Sequence, residues 1–167
     1  NPSGKMSFNY PIATNRLLPH NHKSSEVVLA HEIENPVALK HFGTGLSYTN
    51  FTYSNLHLSD SVLTADNNEI KATVTVTNSG SREGKESVLW FLFDEVGSIS
   101  RPVKDLKYYE KKSLKPGESA DFTFVIKPME SLAFPNKKGE QLLENGYFTL
   151  SVGNLKTRFK LQRNESL

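Results

Sequence analysis

The chain has 167 residues, 37% hydrophobic and 23% charged, which suits one ordinary domain with an appendage rather than a disordered segment. With 20 basic and 18 acidic side chains the net charge is +2, too balanced for a nucleic-acid footprint. There is no cysteine, so disulfides and thiolate metal sites are excluded, and no apolar run approaches the ~20 residues of a membrane-spanning helix.

No secretory signal is visible, and the chain opens on Asn1, which leads us to expect a processed product or a piece of a longer protein. Residues 1 to about 41 carry Pro2, Pro11, Pro19 and Pro36, several histidines and no sustained period. A stretch of this kind reads as an extended arm that leans on a surface outside the chain. Beyond it a period of two takes over. Ile70, Ala72, Val74 and Val76 alternate with Lys71, Thr73, Thr75 and Thr77, as in a strand with one buried face. Asn78-Ser79-Gly80 ends it with turn chemistry.

Residues 88–93, around the single Trp90, are apolar on both faces, which predicts a central strand or one covered by a neighbour. Trp90 itself reads as core. Leu114-Lys115-Pro116-Gly117-Glu118 is a turn in which Gly117 takes a positive φ. Ala120, Phe122, Phe124 and Ile126 form the next one-sided strand, followed by Phe148, Leu150 and Val152, then Phe159 and Leu161. Residues 129–134 suit one short helical turn. With less regular strands near 50–58 and 103–112, the total is about seven, which predicts an all-β sandwich.

These residues also resemble one family. Asn1-Pro2-Ser3-Gly4-Lys5 resembles the end of the α/β-sandwich domain of glycoside hydrolase family 3, although Met6-Ser7 replaces the usual Leu-Pro. Asn21-His22-Lys23 is similar to that family's linker, with His20 where Tyr is usual. Phe42-Gly43-Thr44-Gly45-Leu46-Ser47-Tyr48-Thr49-Asn50-Phe51 resembles the lead-in to its C-terminal domain and is the most specific match. Val74 to Gly80 followed by Gly84, Arg101-Pro102-Val103-Lys104-Asp105-Leu106, Leu114 to Glu118 and Gly146-Tyr147-Phe148 follow in the right order.

The resemblance implies a fibronectin type III, immunoglobulin-like fold over 42–163, after the end of the α/β domain and a linker arm over 1–41, with a tail at 164–167. It implies a non-catalytic structural role in a retaining exo-β-glucosidase-type enzyme, partnered by that enzyme's (β/α)8 barrel and α/β-sandwich domains, in an extracellular or periplasmic setting. The family's catalytic motifs lie upstream of Asn1, so no catalytic residue is carried over, and neither a cofactor nor a metal is implied. The arm is expected to bury Phe8, Tyr10, Ile12, Leu17, Leu18, Val27, Val28 and Leu29 against those domains and to be mobile without them.

Other chemistry is weakly announced. Asp94, Glu95, Asp105, Glu110 and Asp121 sit where acidic residues keep sheet edges soluble. His20 and His22 share one face of an extended segment but lack further ligands for zinc; with Arg101 they are candidates for interdomain or substrate-proximal contacts. Tyr108 and Tyr109 are the candidates for sugar stacking, which keeps a carbohydrate-binding module as one alternative. An adhesion-type sandwich is the other. Asn50-Phe51-Thr52 and Asn164-Glu165-Ser166 are N-glycosylation triplets at Asn50 and Asn164. No partner of nucleic-acid or membrane type is implied.

Overall fold

The computed structural model describes residues 1–14, 23 and 38–163, and the architecture is all-β. Two short strands, β1 (Tyr10–Pro11) and β2 (Ala38–Lys40), pair with each other. The sandwich proper follows: β3 (Phe51–Leu58), β4 (Val62–Leu63), β5 (Ile70–Asn78), β6 (Gly84–Asp94), β7 (Asp105–Leu114) and β8 (Ser119–Ile126). A single π-type turn at Pro128–Leu132 leads to the small hairpin β9 (Phe134–Pro135) and β10 (Gln141–Leu142). The chain closes with β11 (Gly146–Val152) and β12 (Leu155–Leu161).

Strands β3-β5-β8 form one sheet and β4-β12-β11-β6-β7 the other. Four of the seven long strands, β5, β8, β11 and β12, are those expected from the period-2 pattern; β6 matches the run apolar on both faces, and β3 and β7 the less regular stretches near 50–58 and 103–112. The short β4, which runs parallel to β12, was not anticipated. Two residues are too few to show a period.

The core lies between the sheets. Ile70, Ala72, Val74 and Val76 of β5 are fully buried, as are Val88, Trp90, Phe122, Ile126, Leu150 and Val152. Truncating a ring such as Trp90 or Phe122 to alanine costs about 3–5 kcal/mol. The solvent side of the three-stranded sheet is laced instead by polar cross-strand pairs. Thr75 Oγ1 donates to Asp121 Oδ1 at 2.8 Å, and the Thr77 and Ser119 hydroxyls are 2.7 Å apart. Gly117 has φ +76, as its turn requires.

The outer face of β6 is apolar because it is covered. Phe42, from the segment leading into β3, packs edge-on to Phe91 with ring centroids 5.8 Å apart. Thus residues 42–44 supply the neighbour that the two-sided apolar pattern of 88–93 demands.

The arm departs from expectation at its start. Residues 1–6 lean on residues 42–44 and on the sandwich, because their backbone and polar side chains find partners there. Gly43 N donates to Met6 O at 2.8 Å and Met6 N to Thr44 O at 2.9 Å. Leu17, Leu18, His20, His22, Val27, Val28 and Leu29 lie outside the described residues, as does the tail 164–167.

Candidate interdomain site

The junction between the arm and the sandwich is built on one half-charged node. Glu86 has the inward parity of Val88 and Trp90 but sits near the start of β6, past the end of the neighbouring β11, where the sheet opens. Its side chain is 6% exposed, and Lys5 Nζ reaches its Oε1 at 2.8 Å. Tyr53 Oη donates to the same oxygen at 2.7 Å. A buried carboxylate needs such partners. Burial, and then the adjacent Glu86 charge, push the Tyr53 phenol far above its ordinary value.

Further polar contacts fix the same segment. Asn1 Nδ2 donates to Glu83 O at 2.9 Å, while Asn1 Oδ1 accepts from Tyr48 N at 2.9 Å and Ser47 Oγ at 3.0 Å. Ser87 Oγ donates to Ser3 O at 3.0 Å. Phe42 N donates to the buried Asn9 side chain at 2.7 Å. Gly45 lets the two segments meet: a Cβ there would stand 2.6 Å from Gly4 O and 2.7 Å from Lys5 Cδ.

The node itself was not legible as a site. Its only signal was a carboxylate at an inward position of a strand that is otherwise apolar there.

The residues proposed from sequence are dispersed. The Arg101 guanidinium lies 4.5 Å above the Phe134 ring and 3.8 Å from Asp105, within the chain's own fold. Tyr108, on the edge strand β7, stacks on Phe124 of the edge strand β8, with centroids 5.5 Å apart and planes at 9°, and is still 39% exposed. Tyr109 points the other way, is 67% exposed, and borders a groove shared with Phe42, Leu89 and Leu106. Asn50 is exposed, just ahead of β3, and Asn164 lies outside the described residues.

The carboxylates are occupied with local work. Glu95 takes a bidentate contact from Arg158, with Nη2 to Oε2 at 2.6 Å, and a hydrogen bond from Thr149 Oγ1. Those two donors hold its carboxyl below the usual range. Burial pushes the neighbouring Asp94 up, opposed by Arg101. Glu110 pairs with Lys112, and Asp105 with Lys107 at 2.7 Å. No group of three or more metal-type ligands occurs among the described residues. Nor is any described helix long and apolar enough to cross a membrane.

Comparison with known proteins agrees with the fold. Residues 86–156 match the fibronectin type III-like domain family. A putative β-xylosidase of Formosa agariphila is 38% identical over 97% of this chain, which covers 22% of that protein. A periplasmic β-glucosidase of Salmonella typhimurium is 36% identical over 96%, again with 22% of the relative covered. Among solved structures, a β-glucosidase from Erythrobacter marinus superposes with a TM-score of 0.87 at 26% identity, over 96% of this chain and 22% of its own. The Listeria innocua β-glucosidase in complex with glucose gives 0.81 at 29%, over 95% and 24%. The chain therefore spans about a fifth of the length of the curated relatives it matches.

Proposed function

We propose, on the premise that this chain is a fibronectin type III-like β-sandwich of the kind β-glucosidases and β-xylosidases carry, that it is the non-catalytic supporting domain of a family 3 glycoside hydrolase. The observation that carries the reading is the arm. Its Asn1, Lys5 and Asn9 are bonded onto the sandwich, in a chain of which 97% aligns with the Formosa relative.

In this reading residues 1–41 are the end of an α/β domain and its linker, 42–163 the supporting domain, and 164–167 a tail. The parent enzyme removes terminal β-D-glucosyl residues with retention. Its two carboxyl groups, about 5–5.5 Å apart across the anomeric carbon, belong to other domains of the same protein. Its setting is extracellular or periplasmic, in keeping with the Salmonella relative's name. The purified 167-residue chain should leave an aryl β-glucoside intact, while the longer polypeptide hydrolyses it. Turnover by the chain alone, free of contaminants, would sink the reading.

One observation favours a second use. The exposed Tyr109 ring, beside a groove of about 290 Å3, offers a flat apolar face for a sugar. Retention on insoluble glucan that Tyr109→Ala abolishes would establish a carbohydrate-binding module.

A further inference from the structure

The outer strands of a sheet offer unpaired backbone groups to any second strand that approaches. Among the described residues these strands are β3 and β8 in one sheet, β4 and β7 in the other. Three of them carry their own protection. β3 is broken by an irregularity between Ser54 and His57, where Asn55 has φ +53. β4 is two residues long. β7 carries Lys107, Lys111 and Lys112, the residue type that discourages edge pairing. β8 has none of these devices. Its eight residues, Ser119–Ile126, contain no lysine and no proline, and they run in unbroken register along β5.

The protection of β8 comes from β7. Tyr108, Glu110 and Lys112 share one side of β7, opposite Trp90, Val88 and Glu86. Because β7 ends its sheet, two of these side chains reach across to β8. Lys112 Nζ donates to Asp121 O at 2.7 Å and lies 4.5 Å from the centre of the Phe122 ring. Glu110 holds the same ammonium at 3.1 Å. Further along, the Tyr108 ring lies flat on Phe124. Backbone groups alternate in direction along a strand, so those of Thr123 and Val125 share the outward direction of Asp121. Lys112 thus occupies a carbonyl on the side from which a further strand would come.

We propose that β8 is the edge along which a second copy of this chain pairs once it is uncovered, and that Lys112, with Tyr108, is the cover that keeps the chain single. The occupant follows from the strand's own sequence. Two copies of β8 running antiparallel about Thr123 make a two-fold contact in which Thr123 meets Thr123 and Asp121 meets Val125. No like charges are opposed there. The product is one continuous sheet, β3-β5-β8 of one copy joined to β8-β5-β3 of the other. The surface belongs to the sandwich itself and asks nothing of the arm.

Removing the cover in the 167-residue chain tests this. Lys112→Ala should tighten self-association at least tenfold in sedimentation equilibrium, the mass rising from 18.7 kDa toward twice that value with concentration. Lys112→Met keeps the stem over Phe122 and loses the donor; it should do the same, and it guards against a disturbed core in the alanine variant. Lys112→Arg, which keeps a donor, should stay single. So should Lys71→Ala, which removes a positive charge from β5 and leaves the cover intact. As the copies associate, amide exchange should slow at Asp121, Thr123 and Val125, whose N–H groups then find partners. Three results overturn the proposal: alanine and methionine variants that remain monomeric, association that leaves those three amides unprotected, or equal association by Lys71→Ala.

Discussion

Asn78 Nδ2 donates to the Leu114 carbonyl at 2.8 Å, joining the last residue of β5 in one sheet to the last residue of β7 in the other. The same amide nitrogen donates to Arg82 O at 2.8 Å, and its oxygen accepts from Thr49 Oγ1 at 2.6 Å and Gly80 N at 3.1 Å. All four capacities of the amide are filled, in a side chain with no exposure. Replacing it leaves several buried groups unpaired at once. Asn78→Ala should cost about 2–4 kcal/mol by urea unfolding. Asn78→Asp should be worse, because two donors become acceptors facing carbonyl oxygens. A loss under 1 kcal/mol for Ala would show that the sheets close without this clasp.

Lys5 and Glu86 form the second fastening, and it is partly wet, since Lys5 is 22% exposed. Solvent screening therefore keeps its contribution modest. Lys5→Ala should lower stability by about 1 kcal/mol, with a coupling to Glu86→Gln of similar size in a double-mutant cycle. Amide exchange should rise at Met6 and Gly43, whose N–H groups close the same junction. Additive effects of the two changes would disprove the pairing.

Gly45→Ala tests the close approach directly. The new methyl group meets backbone at Gly4 O, which cannot rotate away. Displacement of residues 1–6 follows, and limited proteolysis should then cut there at least several-fold faster than in the parent chain. Equal cutting would mean that the approach relaxes at little cost.

Tyr53 makes stability fall at high pH. Its phenol is held protonated in the fold well above the ~10 of an unfolded tyrosine. Below that value both states are protonated and the contribution is fully present. As the pH rises past it the unfolded state releases a proton that the folded state keeps, so unfolding becomes easier. Tyr53→Phe should flatten the decline above pH ~10 relative to the parent. Identical slopes would place the phenol outside the buried node.

What the sequence determined alone is what depends on neighbours two residues apart. The alternation in Ile70 to Val76 and Ala120 to Ile126 names its own buried face, because a pleated strand turns successive side chains to opposite sides. The turn at Gly117 is equally local. The resemblance of the 42–51 run to a known lead-in required only order along the chain.

Tertiary structure decided whatever depends on residues brought from far along the chain. Asn78 reads as a turn former, yet it is the clasp between sheets, because Leu114 arrives 36 positions later. Phe42 reads as part of a lead-in, yet it covers Phe91. Which of Tyr108 and Tyr109 turns inward follows from the register of β7 on β6, where an irregularity falls between Trp90 and Phe91. Glu86 gains its meaning only when Lys5 and Tyr53 converge on one oxygen. Periodicity is local and can be read along a line; a shared partner exists only in three dimensions.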